Sequence, residues 1–270
     1  PTLSINEYPN LPELPDSTGT VSSDTFATAV AQVAIAAGRD DSLPTLTGVH
    51  VEINEDTVTF AATDRYRLAV REIQWSPSAP NTSTTALLRA RTIADAAKSL
   101  TGSKDVSLSF APTTSNDRLT GFAGDGKTMT SRMLDGTFPP YRHLLPQEVT
   151  TTALIEVATL LDSVRRVALV TDKTVPLRLD FANNTLSLEA GAGEEAQATE
   201  AIEILLTGEP ISIAFNPTFL ADGLNAVGTK FVQISFTGSN KPAILMGKSD
   251  KDGALVESYR YLLMPMRYAS

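Results

Sequence analysis

The chain repeats itself, and this constrains its fold more than any single motif does. Residues 26–37 place Val30, Val33 and Ala34 at helical spacing, and residues 160–171 repeat them as Val164, Val167 and Ala168, an offset of 134 (164 − 30). An alternating pair of strands follows in each half. Val49, Val51 and Ile53, then Val58, Phe60 and Ala62, correspond to Leu177, Leu179 and Phe181, then Leu186, Leu188 and Ala190, an offset of 128 (177 − 49). Short polar turns at 54–57 and 182–185 join each pair as hairpins require. A second helical stretch recurs as 93–100 and 220–227, with Asp95 over Asp222, an offset of 127 (222 − 95). A strand closes each series: Val106, Leu108 and Phe110 against Val232, Ile234 and Phe236, an offset of 126 (232 − 106).

Each unit therefore has two helices and many short alternating strands, an α+β domain on antiparallel sheet. The repeat is far longer than a solenoid unit, so tandem whole domains are expected. We place a linker or the end of a preceding domain at 1–20, a first unit at 21–147 and a second at 148–270. Pro9, Pro12 and Pro15 keep the opening segment extended, and Pro1 stands where an initiator Met would. These features suggest that a domain preceded it, with an ordinary flexible N-terminal arm as the alternative.

Composition excludes several classes. There is no cysteine, so disulfides and thiolate metal sites are out. No apolar run approaches the ~20 residues that span a bilayer, and no secretory leader is visible, which leaves a cytoplasmic location by default. The net charge of −9 argues against holding nucleic acid by dense phosphate contacts alone.

Candidate chemistry is sparse. Gly121-Phe-Ala-Gly-Asp-Gly-Lys-Thr128 satisfies the phosphate-loop pattern. That loop needs a helix after it, whereas Thr128–Met133 alternates as a strand and Asp135-Gly136 and Pro139-Pro140 break the chain. A hairpin turn is the better reading, and a nucleotide-hydrolysing enzyme stays the alternative. Asp250-Lys-Asp252-Gly253 lacks the glycine and distal acid of a calcium loop. His50 and His143 have no partner at metal-ligand spacing, and His50 should point outward from its strand. No G-x-S-x-G elbow occurs. No cofactor, metal or catalytic residue is expected. A tandem-domain adhesion scaffold remains a third reading. Arg91, Lys98, Arg165 and Arg166 lie on the repeated helices, where a nucleic-acid contact is as plausible as a solvated surface. The tail, Tyr261-Leu-Leu-Met-Pro-Met-Arg267, suits either a last core strand or an adaptable apolar groove.

Five ordered segments carry a resemblance: Ser42-Leu-Pro-Thr-Leu-Thr-Gly48, Ala62-Thr-Asp-Arg-Tyr-Arg-Leu-Ala69, Leu134-Asp-Gly-Thr-Phe-Pro-Pro-Tyr-Arg142 with Leu144-Leu-Pro146, Phe215-Asn-Pro-Thr-Phe-Leu220, and the tail. Together they resemble the second and third domains of bacterial DNA sliding clamps, the beta subunit of DNA polymerase III. The resemblance implies a non-catalytic processivity factor. In that family three similar domains per protomer close head-to-tail, as a homodimer, into a ring around duplex DNA. A ring is retained by topology and can stay acidic outside, and Arg91, Lys98, Arg165 and Arg166 would face its hole. With two domains, this chain is expected to be monomeric. The family's other partners are the clamp loader and the clamp-binding peptides of polymerases and repair factors, which insert a glutamine and apolar anchors between the second and third domains. By matching motif, that pocket would use Leu46, Thr63, Arg65, Arg67, Leu68, Pro139, Leu144, Leu262, Met264, Pro265, Met266 and Arg267, with its arginines at the edge. Arg65-Tyr66 departs from the smaller or histidine-containing pairs of some members, which bears on peptide specificity.

Overall fold

The computed structural model describes residues 12–111, 118–146, 148–170, 175–191 and 197–267. Pro1, Pro9, Thr171, the 147/148 boundary and the last three residues lie at or outside the limits of that description.

Among the described residues, eleven strands and α-helices make the first unit: β1 (Ser17–Ser22), α1 (Ser23–Ala34), β2 (Gly48–Asn54), β3 (Thr57–Thr63), β4 (Arg67–Gln74), β5 (Ser76–Pro77), β6 (Ser83–Arg89), α2 (Ala90–Ser99), β7 (Asp105–Phe110), β8 (Leu119–Gly124) and β9 (Lys127–Arg132). The second unit repeats them in order: β10 (Thr151–Glu156), α3 (Val157–Val167), β11 (Leu177–Ala182), β12 (Thr185–Ala190), β13 (Ala198–Glu203), β14 (Leu205–Thr207), β15 (Ile211–Phe215), α4 (Pro217–Val227), β16 (Phe231–Phe236), β17 (Ala243–Lys248) and β18 (Leu255–Leu263). The protein is thus α+β, with two tandem domains of antiparallel sheet and two helices each.

Helix limits follow their caps. Ser22 accepts the Thr25 amide and starts α1 three residues before its apolar stripe does. It ends at Ala34 rather than Ala37, because the amides of Ala36 and Ala37 turn back to Val33 and Ala34. Asn216 caps α4 through Thr218 and Phe219, with Pro217 in the first turn, and Gly228 ends it in the left-handed region at φ 71°. The stripe of α1 buries Phe26 against Phe60 and Phe122, while Phe181 meets Phe236 in the second domain. These contacts belong to one continuous apolar core.

The hairpin turns obey local backbone rules. Asn183 and Asn184 both take positive φ between β11 and β12, and Asp125 and Gly126 do so between β8 and β9. The stretch that matches a phosphate loop is therefore a strand–turn–strand, and the element after it is β9. Lys127 donates its ammonium to the Ser99 carbonyl at the end of α2, an ordinary interaction with a helix C-terminus.

Sheet order places the seam. One sheet runs β5-β1-β7-β8-β9, another runs β13-β12-β11-β15, and a nine-stranded sheet runs β14-β10-β16-β17-β18-β4-β3-β2-β6. The last is the five-stranded half of the second domain fused to the four-stranded half of the first. The join is β18 against β4, with Leu262 opposite Leu68 and Tyr261 opposite Ala69. On the helix side, Tyr259 donates to the Gln32 carbonyl of α1 and Tyr261 to the Phe219 carbonyl of α4. One strand thus anchors a helix from each domain. A side chain at Gly223 would strike the Tyr261 ring, which is why α4 lies so close to it. On the opposite side, Phe138 and Tyr141 cover an apolar cluster containing Leu68, Val70, Ile244 and Leu262.

Candidate functional site

The turn between β3 and β4 is built by two side chains. The Thr63 hydroxyl accepts the Arg65 amide and donates to the Arg67 carbonyl. One Asp64 oxygen accepts the amides of Tyr66 and Arg67. These bonds hold Arg65 at φ 79°, a left-handed conformation unusual for a side-chain residue. They also lift Tyr66 into solvent, 59% exposed.

Arg67 points the other way. Its Nε meets Asp64 at 3.0 Å and its Nη1 meets Asp222 of α4 at 2.6 Å. The guanidinium lies 4.2 Å from the Phe219 ring centroid. Burial opposes its charge, yet Tyr261, Asp222 and Asp64 more than offset this and hold its pKa above the usual arginine value. At 6% exposed it is a domain fastener. The expectation of an edge arginine open to a ligand is corrected for Arg67, because two carboxylates already occupy its fork.

Above this fastener lies a groove of about 410 Å³. The first domain supplies Leu43, Leu46, Arg39, Asp40, Arg65 and Tyr66, and the second supplies Thr218, Phe219 and Asp222. Tyr66 and Phe219 face each other with centroids 6.4 Å apart. Leu46 sits on a short turn of 3-10 helix, Pro44–Thr47, and is otherwise buried.

The tail passes beside this site without lining the groove. The Met264 amide donates to the Tyr66 carbonyl, extending the β18–β4 pairing by one bond, and Met264 is 37% exposed. Pro265 follows, and the Met266 amide donates to Ala214 of β15, so Met266 turns toward the second domain. Arg267 is exposed. Leu68 and Leu262 are not an open floor: each is 1% exposed within the cluster roofed by Phe138 and Tyr141. Pro139 and Leu144 are exposed beside that roof and do not line the groove. The domain end is held by Phe138, Tyr141 and Leu145 instead. Thr63 acts through the turn it braces. His50 is also corrected: it lies flat under Phe138, 5.1 Å between centroids, and burial lowers its pKa.

The helices lie side by side, with α1 touching both α2 and α4, and α4 touching α3. Arg91, Lys98, Arg165 and Arg166 are all exposed on them. They differ in freedom. Arg166 is bound to Glu200, whose second partner is Ser163. Arg165 reaches Asn225 at 3.4 Å and Asp162 at 3.9 Å. Among the described residues, Arg91 and Lys98 have no acidic partner within 4.0 Å. No group of three or more potential metal ligands occurs among the described residues, and no helix there is long and apolar enough to cross a membrane.

Comparison with known proteins places this architecture. Residues 20–140 match the family model of the DNA polymerase III beta subunit, central domain, and residues 142–267 match that of its C-terminal domain. A beta sliding clamp of Streptomyces coelicolor is 50% identical over 98% of this chain and 71% of its own length. The chain belongs to the beta sliding clamp family. It is a processivity clamp of DNA replication. The beta sliding clamp homolog GriR of Streptomyces muensis is 42% identical over 98% of this chain and 70% of that protein. Among solved structures, the DNA polymerase sliding clamp of Bacillus subtilis superposes with a TM-score of 0.87 at 23% identity, over 99% of this chain and 69% of that one. A sliding clamp from Pseudomonas aeruginosa solved bound to griselimycin gives 0.87 at 23% identity, over 98% and 70%.

Sequence reasoning missed Arg39, Asp40, Leu43, Asp64, Tyr66, Thr218, Phe219 and Asp222 as groove residues. Residues 215–220 were visible as a family segment but read only as a helix start. The signal was present in the cap: Asn216 fixes the first turn of α4, and that turn aims Phe219 at the seam.

Proposed function

We propose that this clamp captures short partner segments in the groove at its domain seam and presents its helices to duplex DNA. One observation carries the reading: two domains contribute facing apolar rings, Tyr66 and Phe219, to a single cavity whose rim is tied to the chain's tail at Met264. Concave apolar sites of this kind at domain interfaces are where small ligands and peptides bind. A clamp of the same fold holding griselimycin supports a ligand role for such a protein. The residues offered to ligand are Leu46, Tyr66 and Phe219 in the groove wall, with Met264 exposed beside it. Pro139, Leu144, Pro265, Met266 and Arg267 flank them, and Leu68 and Leu262 are reached only if the Phe138 roof shifts. The natural ligands are segments of polymerases and repair factors, and the clamp loader uses the same face. The protein acts without catalysis and in the cytoplasm.

The topology supports a ring. The seam pairs β18 with β4, and β13 is the counterpart of β4 by element order. The outer edge of β13 is unpaired among the described residues, as is that of β9, the counterpart of β18. Repeating the seam at these edges gives a head-to-tail series that closes as a ring. The helices would then line the hole, with Arg91 and Lys98 as cations that have no acidic partner among the described residues. The 270-residue chain by itself should be a monomer of 28.8 kDa by light scattering.

Calorimetric titration with a short peptide bearing a glutamine and two leucine anchors tests the groove. A Kd of about 1 μM, roughly −8 kcal/mol, is expected. No heat at about a thousandfold higher concentration would refute it.

A further inference from the structure

A second cleft lies in the second domain, away from the seam. It measures about 420 Å³, and its walls include Glu156, Ile204, Leu205, Lys230, Phe231 and Lys251. It shares no residue with the seam groove. The groove opens at the N-terminal turn of α4, through Thr218 and Phe219, and this cleft lies beyond the C-terminal end of the same helix. The 11 residues of α4 set the two roughly 16 Å apart.

The repeat places a counterpart in the first domain. Ser23 donates its amide to the Lys104 carbonyl as Val157 does to that of Lys230. The Trp75 amide goes to Asp56, in the turn between β2 and β3, as the Ile204 amide goes to Asn184 between β11 and β12. Trp75 therefore stands where Ile204 does. It is 7% exposed, its indole donates to the Glu55 carbonyl, and the cavity beside it is only about 290 Å³. Trp75 fits because position 19 is glycine: a Cβ there would lie 2.5 Å from its ring. Ala153 faces Ile234 as Gly19 faces Leu108, so the second domain carries a Cβ at this point and the smaller Ile204 opposite it. The cleft is the space that Trp75 fills in the first domain.

Its charge differs as well. Phe231 pairs with Glu156 as Asp105 pairs with Ser22, so a ring replaces an acid. The Lys230 ammonium lies 5.3 Å and the Lys251 ammonium 5.9 Å from the centroid of that ring. Lys248 helps to hold the second of these by donating to the Lys251 carbonyl. Among the described residues neither Lys230 nor Lys251 has an acid within 4.0 Å, although Glu156 and Glu203 also line the cleft. Leu205 is left 51% exposed at this site.

We propose that this cleft is a second docking site, for a partner-protein segment that presents one leucine-like side chain with a single aspartate or glutamate beside it. The apolar group rests on Ile204, Leu205 and Phe231, and the carboxylate meets the two ammonium groups. One acid suits the cleft better than several, because Glu156 and Glu203 already place negative charge in it. The site does not depend on what the seam groove binds, and with α4 between them both can be filled at once.

A methyl-resolved NMR titration of the 270-residue chain tests this, with acetyl-Leu-Glu-amide as probe and acetyl-Leu-Gln-amide as neutral control. The methyls of Leu154, Ile204 and Leu205 report on the cleft, and those of Leu46 on the seam groove. The glutamate probe should shift the cleft methyls with a Kd on the order of 1 mM, as suits so small a ligand. At about 50 mM salt it should bind about fivefold tighter than the control, through two exposed ion pairs. In the double variant Lys230→Gln with Lys251→Gln, the two probes should agree within about twofold. Leu205→Ala should weaken both by about threefold and leave their ratio unchanged. Equal affinities in the unmodified chain, or a preference that survives both lysine changes, overturn the assignment of the carboxylate to these lysines. Cleft methyls that do not shift at about 20 mM probe, or shifts at Leu46 alone, overturn the site itself.

Discussion

Arg67 of the first domain and Asp222 of the second meet at 2.6 Å across the seam, and both line the groove. One of the interactions that join the domains is thus part of the wall a partner would touch. Arg67→Ala would leave Asp64 and Asp222 without their cation. Removing one member of a buried pair costs about 3–5 kcal/mol, and the partial exposure of both acids reduces this to about 2 kcal/mol. Urea denaturation followed by circular dichroism reads the loss directly. Arg67→Lys should recover less than half, since one ammonium cannot reach two carboxylates on different elements as a guanidinium does. Full recovery by lysine would show that the fork geometry is irrelevant.

His50 gives the fold a pH response. Burial under Phe138 is the main cause of its lowered pKa, with Arg142 acting the same way and Glu52 opposing. The unfolded chain binds its proton near pH 6.5 and the folded chain only at lower pH. Between those values the unfolded state holds more protons, so stability is full above about pH 6.5 and declines as pH falls toward the folded pKa. His50→Gln should flatten the part of the stability profile between about pH 7 and pH 5.5 relative to the unmodified chain. Parallel profiles for the two proteins would show that His50 does not contribute.

What the sequence revealed and what it hid divide by range. Periodicity exposed α1, α3 and the hairpins, because apolar spacing along one element is a local property. The same logic dismissed the phosphate-loop match, since Thr128–Met133 alternates. The pairing of β18 with β4 has no local signature: nothing in Leu262 or Leu68 names its partner 194 residues away (262 − 68). The family motifs brought the tail to the right turn but could not say that Arg67 would face inward to Asp222. Nor could they say that Phe138 would roof His50, because these are consequences of packing between elements.

Lys127 is structural. Its ammonium caps α2 through the Ser99 carbonyl, and the turn before it offers no helix N-terminus to phosphate. Added ATP with magnesium should leave the melting temperature unmoved. Lys127→Ala should lower stability by under about 1 kcal/mol, as an exposed helix-end contact does. A nucleotide-dependent rise in melting temperature that vanishes in Lys127→Ala would revive the phosphate-loop reading.

The helix cations should not weigh equally on DNA. Among the described residues Arg91 and Lys98 have no acidic partner within 4.0 Å, whereas Arg166 must first leave Glu200. Neutralising Arg91 or Lys98 to glutamine should weaken the low-salt retention of duplex DNA, and each change should lower the slope of log affinity against log salt by about 0.9. Arg166→Gln should change it by less. Equal effects from all three would mean that the Glu200 pair opens on contact with DNA.

Met264 separates docking from packing. Its backbone amide bonds to Tyr66 whatever its side chain, so Met264→Ala keeps the tail in place and removes only an exposed, adaptable thioether beside the groove. We expect the titrated peptide to bind about 30-fold more weakly, or on the order of 2 kcal/mol, with little change in folding stability. Leu262→Ala is the contrasting case: at 1% exposed in the cluster under Phe138 it should cost about 2–4 kcal/mol of stability through the cavity it leaves. An unchanged Kd for Met264→Ala would move the docking site away from the tail. Stability loss in both variants with equal loss of binding would mean that the tail serves the fold alone.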